Sequence, residues 1–188
     1  HASVEAPSNA PARYRIADPA LRFHHTFVAP NASMLERSDP FDVFDEVVAP
    51  RLDTFLGPAF ERLVAPTYER LPGDLLLPLV RTWGRWEGHD RDRRPVEVDV
   101  VAELADGGVL SGAVKWNRKP LATAVFFDHL DAVRRAAHAG RRWAHAALDG
   151  PVLFLAAGGY EPAFLAAAAE HTAPVWTWSL DEVYAPAT

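Results

Sequence analysis

The alternation of hydrophobic and polar residues is clearest in the middle of the chain, between Val96 and Trp116. This stretch begins VEVDV, in which three valines alternate with two acidic residues, the two-residue period of a half-buried β-strand. Residues 106–108, Asp-Gly-Gly, then provide the backbone freedom that a tight turn requires. We therefore expect a hairpin whose second strand is Val109–Trp116, with the three valines on one face of the first strand and Glu97 and Asp99 on the other.

Other segments predict an α/β fold built around this hairpin. The apolar run Pro151–Ala157 is typical of a strand that is covered on both faces. Hydrophobic residues at spacings of three and four predict helices on both sides of the hairpin. The predicted strands besides the hairpin are Val80–Trp86, Pro151–Ala157 and Val175–Trp178, and the predicted helices that follow the hairpin are Thr123–Trp143 and Pro162–His171. This order predicts a mixed sheet flanked by helices, antiparallel at the hairpin and parallel after the helical crossover.

The N-terminal part of the chain differs from the rest in composition. Residues 1–12 are rich in Ala, Pro and Ser without periodicity, which predicts a disordered leader. We expect residues 13–72 to form a helical segment that ends in the first core helix, and residues 73–188 to form the mixed-sheet core. A length of 188 residues suits a single folded unit over 13–188. Because the chain begins at His1, we expect it to be a piece of a longer protein.

The composition excludes several classes of site. The chain has no cysteine, which excludes disulfides, thiolate zinc sites and a cysteine nucleophile, and fits a reducing compartment. No apolar run approaches the roughly 20 residues of a membrane span, so we expect a cytoplasmic protein without a membrane partner. No P-loop is present, since Ala113-Val114 follow Gly112 where Lys and Ser/Thr are required. The histidines show no HExxH or complete metal-site spacing, so a histidine metal site is not expected.

Positive charge is concentrated in the central third of the chain. The formal net charge is −6, which argues against a bulk nucleic-acid binder. Residues 81–142, however, hold 12 of the 19 Lys and Arg but 9 of the 25 Asp and Glu, a balance of +3 against −9 for the remainder. A locally positive surface attracts phosphate. The alternative is that these arginines are solvated residues on helix and loop surfaces.

The hairpin carries the residues with the most specific chemistry. Metal-dependent phosphodiester hydrolysis uses carboxylate ligands for Mg²⁺ and a cation that orients water or offsets charge. Asp99 and Lys115 lie on adjacent predicted strands and have this chemistry. A second carboxylate at position 113 would share a face with Lys115, but the residue is Ala113. The alternative is that Glu97 and Asp99 line a solvated strand face with Lys115 as a cross-strand partner.

Several segments together resemble a known family. GPAFERL, WGRW, VEVDVVAE and GAVKW, in this order, are similar to the nuclease-like C-terminal domain attached to archaeal-type ATPases, a member of the PD-(D/E)XK nuclease superfamily. The upstream YRIADPALRFHHTFV is similar to the segment that follows the ATPase part in those proteins. The resemblance spans Tyr14 to Trp116. It implies a restriction-endonuclease-like αβββαβ core with an extra N-terminal helical segment.

The resemblance also implies a set of site residues. Glu61 matches the helix glutamate of the superfamily, Asp99 the strand aspartate and Lys115 the lysine of Glu-x-Lys. Glu97 matches an acidic residue that often precedes the aspartate. The implied catalytic set is Glu61, Glu97, Asp99 and Lys115, and its carboxylates would be the ligands of Mg²⁺ or Mn²⁺ in an active enzyme. The glutamate of Glu-x-Lys is missing at Ala113, which weakens the expectation of activity.

Three functions are therefore open. The first is a catalytically impaired nuclease-like domain that binds nucleic acid or regulates the ATPase part of its parent chain, without a cofactor. The second is an active metal-dependent endonuclease, and the third is a protein-protein interaction scaffold, with a second copy of the chain as one partner. For DNA binding, the expected contact residues are Arg85, Lys115, Arg118 and Lys119.

Overall fold

The structure, a computed structural model, describes residues 16–71 and 77–185. The described residues form two compact units that divide between Gly57 and Pro58. The predicted disordered leader, residues 1–12, lies outside the described residues. Within the described part, no helix has both the length and the hydropathy that are needed to cross a membrane.

All the regular secondary structure in the described part of the N-terminal unit is helical. Asp18 and Asp39 each begin a helix whose first residue is proline, and their carboxylates accept hydrogen bonds from the N–H groups of Leu21 (2.9 Å) and Phe41 (2.8 Å). The helices are α1 Pro19–Phe23, α2 Ala32–Leu35, α3 Pro40–Val43 and α4 Ala49–Phe60, with π-helical turns at His24–Val28 and Phe44–Val48.

The second unit contains a five-stranded mixed sheet. The strands are β1 Val80–His89, β2 Pro95–Leu104, β3 Val109–Lys115, β4 Val152–Ala156 and β5 Val175–Trp178. They lie in sequence order across the sheet, with β1, β2 and β3 antiparallel and β3, β4 and β5 parallel. The predicted mixed sheet, its hairpin and its parallel crossover are thereby confirmed. Gly107 in the hairpin turn has φ of +89°, as its place in a tight turn requires.

Helices cover both faces of this sheet. They are α5 Val64–Arg70, α6 Thr123–His138, α7 Arg142–Ala147, α8 Pro162–Ala169 and α9 Leu180–Tyr184, and a 3₁₀ turn, Glu61–Leu63, joins α4 to α5. The predicted single helix Thr123–Trp143 is wrong, because Gly140 adopts a left-handed conformation with φ of +82° and ends α6. The chain resumes as α7 two residues later.

The hydrophobic core of the second unit has two parts, one on each face of the sheet. The α5-side core combines residues of α5 and α9 with Val100, Ala102 and Leu104 of β2 and Leu110 and Val114 of β3. The α6-side core lies beneath α6, α7 and α8. All five residues of β4 are buried, which confirms the prediction of a strand covered on both faces.

A β-bulge in β2 changes the predicted alternation. Gly84 pairs with Val101 but Trp86 pairs with Val98, so the single residue Arg85 lies opposite both Asp99 and Val100. Val98 and Val101 consequently pack in the α6-side core, whereas Val100 packs in the α5-side core. The expectation that Val96, Val98 and Val100 share a face is therefore wrong for Val100. Glu97 alternates with Val96 and Val98 and so lies on the α5 side, where Arg85 is close to both Glu97 and Glu61.

Candidate functional site

Asp99 and Lys115 meet at the point where β2 and β3 separate. The residue pairing between these two strands ends at Val100 and Gly112. Beyond them, Asp99 Oδ2 accepts a hydrogen bond from the Lys115 ammonium (2.9 Å) and another from the backbone N–H of Val114 (2.9 Å). The Asp99 side chain is only 11% exposed, whereas that of Lys115 is 41% exposed. One carboxylate oxygen is thus held by a charged and a neutral donor, which fixes its orientation.

Three glutamates surround Arg85, and we call this group the Arg85 cluster. The Arg85 guanidinium donates hydrogen bonds to Glu87 and to Glu97 Oε1, the latter at 3.0 Å, and lies 3.9 Å from Glu61 Oε2. Glu87 and Glu97 are directly opposite each other on β1 and β2. Like charges in such a pair repel, so the guanidinium stabilises an arrangement that would otherwise be unfavourable. All four side chains are partly exposed.

Glu61 links the Arg85 cluster to Asp99. It begins the 3₁₀ turn between α4 and α5. Partial burial raises the pKa of the Glu61 carboxyl, and the negative charges of Asp99 and Glu97 raise it further, while Arg85 and Lys115 act in the opposite direction. Glu61 therefore lies within electrostatic reach of both carboxylates and both cations that the sequence assigned to the site.

Ala113 lies in an apolar environment. Its exposed fraction is 6%, and it belongs to the part of the α6-side core that contains Leu121, Phe126 and Phe154. A carboxylate at this position would be buried against these apolar side chains, at a cost in desolvation. The residue that interrupts the Glu-x-Lys pattern is thus a packed core residue.

The arrangement does not fit Mg²⁺ or Mn²⁺ as it stands. Such ions need several carboxylate or water oxygens directed at one point. Asp99 Oδ2 already accepts two hydrogen bonds, and the Arg85 guanidinium lies among the three glutamates. Among the residues that the structure describes, no group of three or more His, Asp or Glu side chains could hold a metal ion.

The four residues expected to contact nucleic acid fall into two pairs. Arg85 and Lys115 are held by carboxylates. Arg118 and Lys119 are exposed in the loop that follows β3. This loop approaches Gly158 so closely that a Cβ on Gly158 would lie 2.6 Å from the Lys119 carbonyl oxygen. A glycine is therefore required at position 158 for the loop to keep this position.

The sequence matches the model of one family, DUF234, described as archaeal and bacterial proteins of unknown function. The match covers residues 24–125, just over half of the chain. The chain belongs to the DUF234 family. No curated protein and no solved structure matches it. The DUF234 match includes the Arg85 cluster, Asp99 and Lys115, so these residues lie within the part of the chain that defines the family.

A buried polar pair that the sequence pattern did not predict joins Ser111, inside the DUF234 match, to His129, four residues beyond it. His129 Nε2 of α6 and Ser111 Oγ of β3 share a hydrogen bond of 3.0 Å, and both residues are buried. Burial lowers the pKa of His129 to about 4, and Lys115 acts in the same direction while Asp99 opposes it. His129 lies between Phe126 and Val133 on the apolar face of α6. This spacing of three and four residues is the sequence signal from which a core position for His129 could have been predicted.

Proposed function

We propose that this domain is a PD-(D/E)XK nuclease-like module that is catalytically impaired and binds nucleic acid beside the ATPase part of a longer chain. The element order supports a restriction-endonuclease-like core, since three antiparallel strands are followed by helices, a parallel strand, a helix and a final strand. The observation that carries the proposal is the Asp99–Lys115 pair, which is kept at 2.9 Å while the neighbouring position 113 is a buried alanine.

We infer the loss of catalysis from the ion pairs in which the carboxylates of the site are engaged. Metal-dependent phosphodiester hydrolysis needs a metal ion that polarises the phosphoryl oxygen and activates water. With Ala113 in the core and Arg85 bound to Glu87 and Glu97, Asp99 lacks a neighbouring carboxylate that is free of an ion pair. Lys115 neutralises Asp99 instead of facing a substrate. We therefore expect no cleavage, or cleavage far below that of an intact site.

We assign the proposed nucleic-acid binding to the loop that follows β3. Arg118 and Lys119 are exposed there, directly after Lys115 at the carboxyl end of a parallel strand. The region from residue 81 to 142, which contains this loop, is the net-basic part of a chain that is otherwise acidic. Exposed lysine and arginine bind phosphates without reading sequence, so the expected binding depends strongly on salt.

The test compares binding and cleavage in one preparation. Fluorescence anisotropy with a short DNA duplex is measured over a range of salt concentrations for the wild type, for the double variant Arg118→Gln/Lys119→Gln, and for Arg134→Gln. The last is a matched control, because Arg134 is exposed on α6. The double variant should weaken binding and reduce the slope of log affinity against log salt by about 2, whereas the control should leave both unchanged.

Two results contradict the proposal. Absence of DNA binding by the wild type removes the nucleic-acid function and leaves regulation of the ATPase part. Mg²⁺- or Mn²⁺-dependent cleavage that Asp99→Ala abolishes establishes the alternative, an active endonuclease. Cleavage that survives Asp99→Ala is contamination and is excluded by that control.

One observation favours a second candidate, an interaction scaffold. The N-terminal unit exposes several large apolar side chains, and the Phe41 side chain is 81% exposed. The others in the described part of this unit are Ile16, Leu21, Met34 and Phe44. If a second copy of the chain covers them, sedimentation analysis should show a dimer that Phe41→Ser dissociates. A monomeric wild type at high protein concentration refutes self-association as the role of this surface.

A further inference from the structure

The position of Arg85 supports an inference about the charge balance of the site. We propose that the Arg85 guanidinium is the built-in counter-ion of Glu61, Glu87 and Glu97, taking the place of a divalent cation and making the folded site independent of metal. The inference rests on the proposed loss of catalysis, but it is tested without nucleic acid.

The contacts of the guanidinium match this role. Arg85 and Glu87 are two residues apart on β1, so their side chains point to the same face, and Glu97 is directly opposite Glu87. Arginine offers a planar fork of donors that can bind two carboxylates at once, which a compact ammonium group does less well. Arg85 donates from Nη2 to both Glu87 and Glu97, and its other terminal nitrogen, Nη1, lies 3.9 Å from Glu61 Oε2.

Strand alternation and the β-bulge together put Arg85 beside these acids. Val96 and Val98 pack on the α6 side, so the alternation of β2 turns Glu97 to the opposite face, which Arg85 and Glu87 share on β1. Arg85 is also the residue that lies opposite the bulge, next to Asp99 and Val100 of β2. Bulges are frequent next to functional sites.

The surrounding charges support the same conclusion. Four carboxylates, those of Glu61, Glu87, Glu97 and Asp99, share two cations, Arg85 and Lys115, in the described ion pairs. Asp99 has its own partner in Lys115, so Arg85 is the cation that serves the three glutamates. Without Arg85, the opposed carboxylates of Glu87 and Glu97 would lose the cation that they share and would be able to rearrange with Glu61 around a hard cation such as Mn²⁺.

The first experiment is a calorimetric titration of the 188-residue chain with Mn²⁺ alone. We compare the wild type with Arg85→Met, which keeps length but removes the charge, and with Arg134→Met, which removes one exposed positive charge on α6. Arg85→Met should bind Mn²⁺ at least ten-fold more tightly than the wild type, and Arg134→Met should not. Adding Glu97→Gln to Arg85→Met should reverse the gain. A folded Arg85→Met that binds Mn²⁺ no more tightly than the wild type overturns the proposal.

A second measurement uses only the wild type, in case Arg85→Met does not fold. Mn²⁺ is added to ¹⁵N-labelled protein, and paramagnetic broadening is followed at the amides of Glu61, Glu87, Glu97 and Asp99. Absence of selective broadening at these amides supports the proposal, whereas saturable broadening centred on them overturns it. Neither result depends on DNA, so failure of this inference and failure of the proposed nucleic-acid function are distinguishable.

Discussion

The buried pair of His129 and Ser111 makes stability depend on pH in a direction that the structure determines. The His129 ring packs 5.3 Å from the ring of Phe154, centroid to centroid, and its Nε2 shares a 3.0 Å hydrogen bond with Ser111 Oγ. A protonated imidazole in this position would be a buried charge hydrogen-bonded to a neutral hydroxyl, and the favourable effect of Asp99 only partly offsets the cost of burial. The pKa of His129 is accordingly lowered to about 4 from an ordinary value of 6.5.

The sign and the size of the effect follow from proton linkage. Between pH 6.5 and pH 4 the unfolded chain binds a proton at His129 and the folded chain does not, so protons favour unfolding in this window. The full shift corresponds to about 3 kcal/mol of stability, lost as the pH falls through the window. Between about pH 7.5 and about pH 5.5 the expected loss from His129 alone is about 1.3 kcal/mol.

The assay is equilibrium urea unfolding at several pH values. The wild type is compared with Ser111→Ala/His129→Leu, which removes both polar partners together so that neither is left buried without a hydrogen bond. From about pH 7.5 to about pH 5.5, the unfolding free energy of the wild type should fall by about 1.3 kcal/mol relative to that of the double variant. His145→Gln, at an exposed position on α7, is the control and should keep the pH dependence of the wild type.

A parallel pH dependence in the wild type and the double variant would refute this reasoning. It would mean that His129 has similar proton affinity in the folded and unfolded chain, and hence that its burial is relieved in solution. Because Glu61 has a raised pKa and acts in the opposite direction, only the difference between the two proteins is interpreted.

Three further predictions concern packing and helix ends. Ala113→Glu, which would restore the Glu-x-Lys pattern, should lower the unfolding free energy by at least about 2 kcal/mol and produce no Mg²⁺-dependent cleavage, because position 113 lies in an apolar core. Gly112→Ala should lower the free energy of unfolding in urea by about 2 kcal/mol, since its Cβ would lie 2.3 Å from the Leu153 carbonyl oxygen. Gly57→Ala is the matched control, because a Cβ at position 57 would point into open space, and it should not lower the free energy of unfolding. Arg70→Met should lower the free energy of unfolding by about 1–3 kcal/mol and speed amide hydrogen exchange in α9. The reason is that Arg70 donates hydrogen bonds to carbonyl groups at the end of that helix.

The sequence by itself determined the elements whose signals are local. Valine alternation, the Asp-Gly-Gly turn and the apolar run Pro151–Ala157 predicted β2, β3 and β4, because strand period, turn conformation and two-sided burial depend on nearby residues. The mixed sheet followed from the order of these elements. The end of α6 carries a local signal too, in Gly140, which the predicted helix Thr123–Trp143 ignored.

Only the tertiary structure decided the charge network. The bulge opposite Arg85 depends on how β1 and β2 align, and it reverses the face of Val100 without any mark in the alternation of β2. The partners of Arg85 come from three separate segments, and His129 meets Ser111 only because α6 packs across β3. Residue types therefore indicated which side chains carry charge. Their pairing is set by strand register and helix packing, which act over distances that no short stretch of sequence encodes.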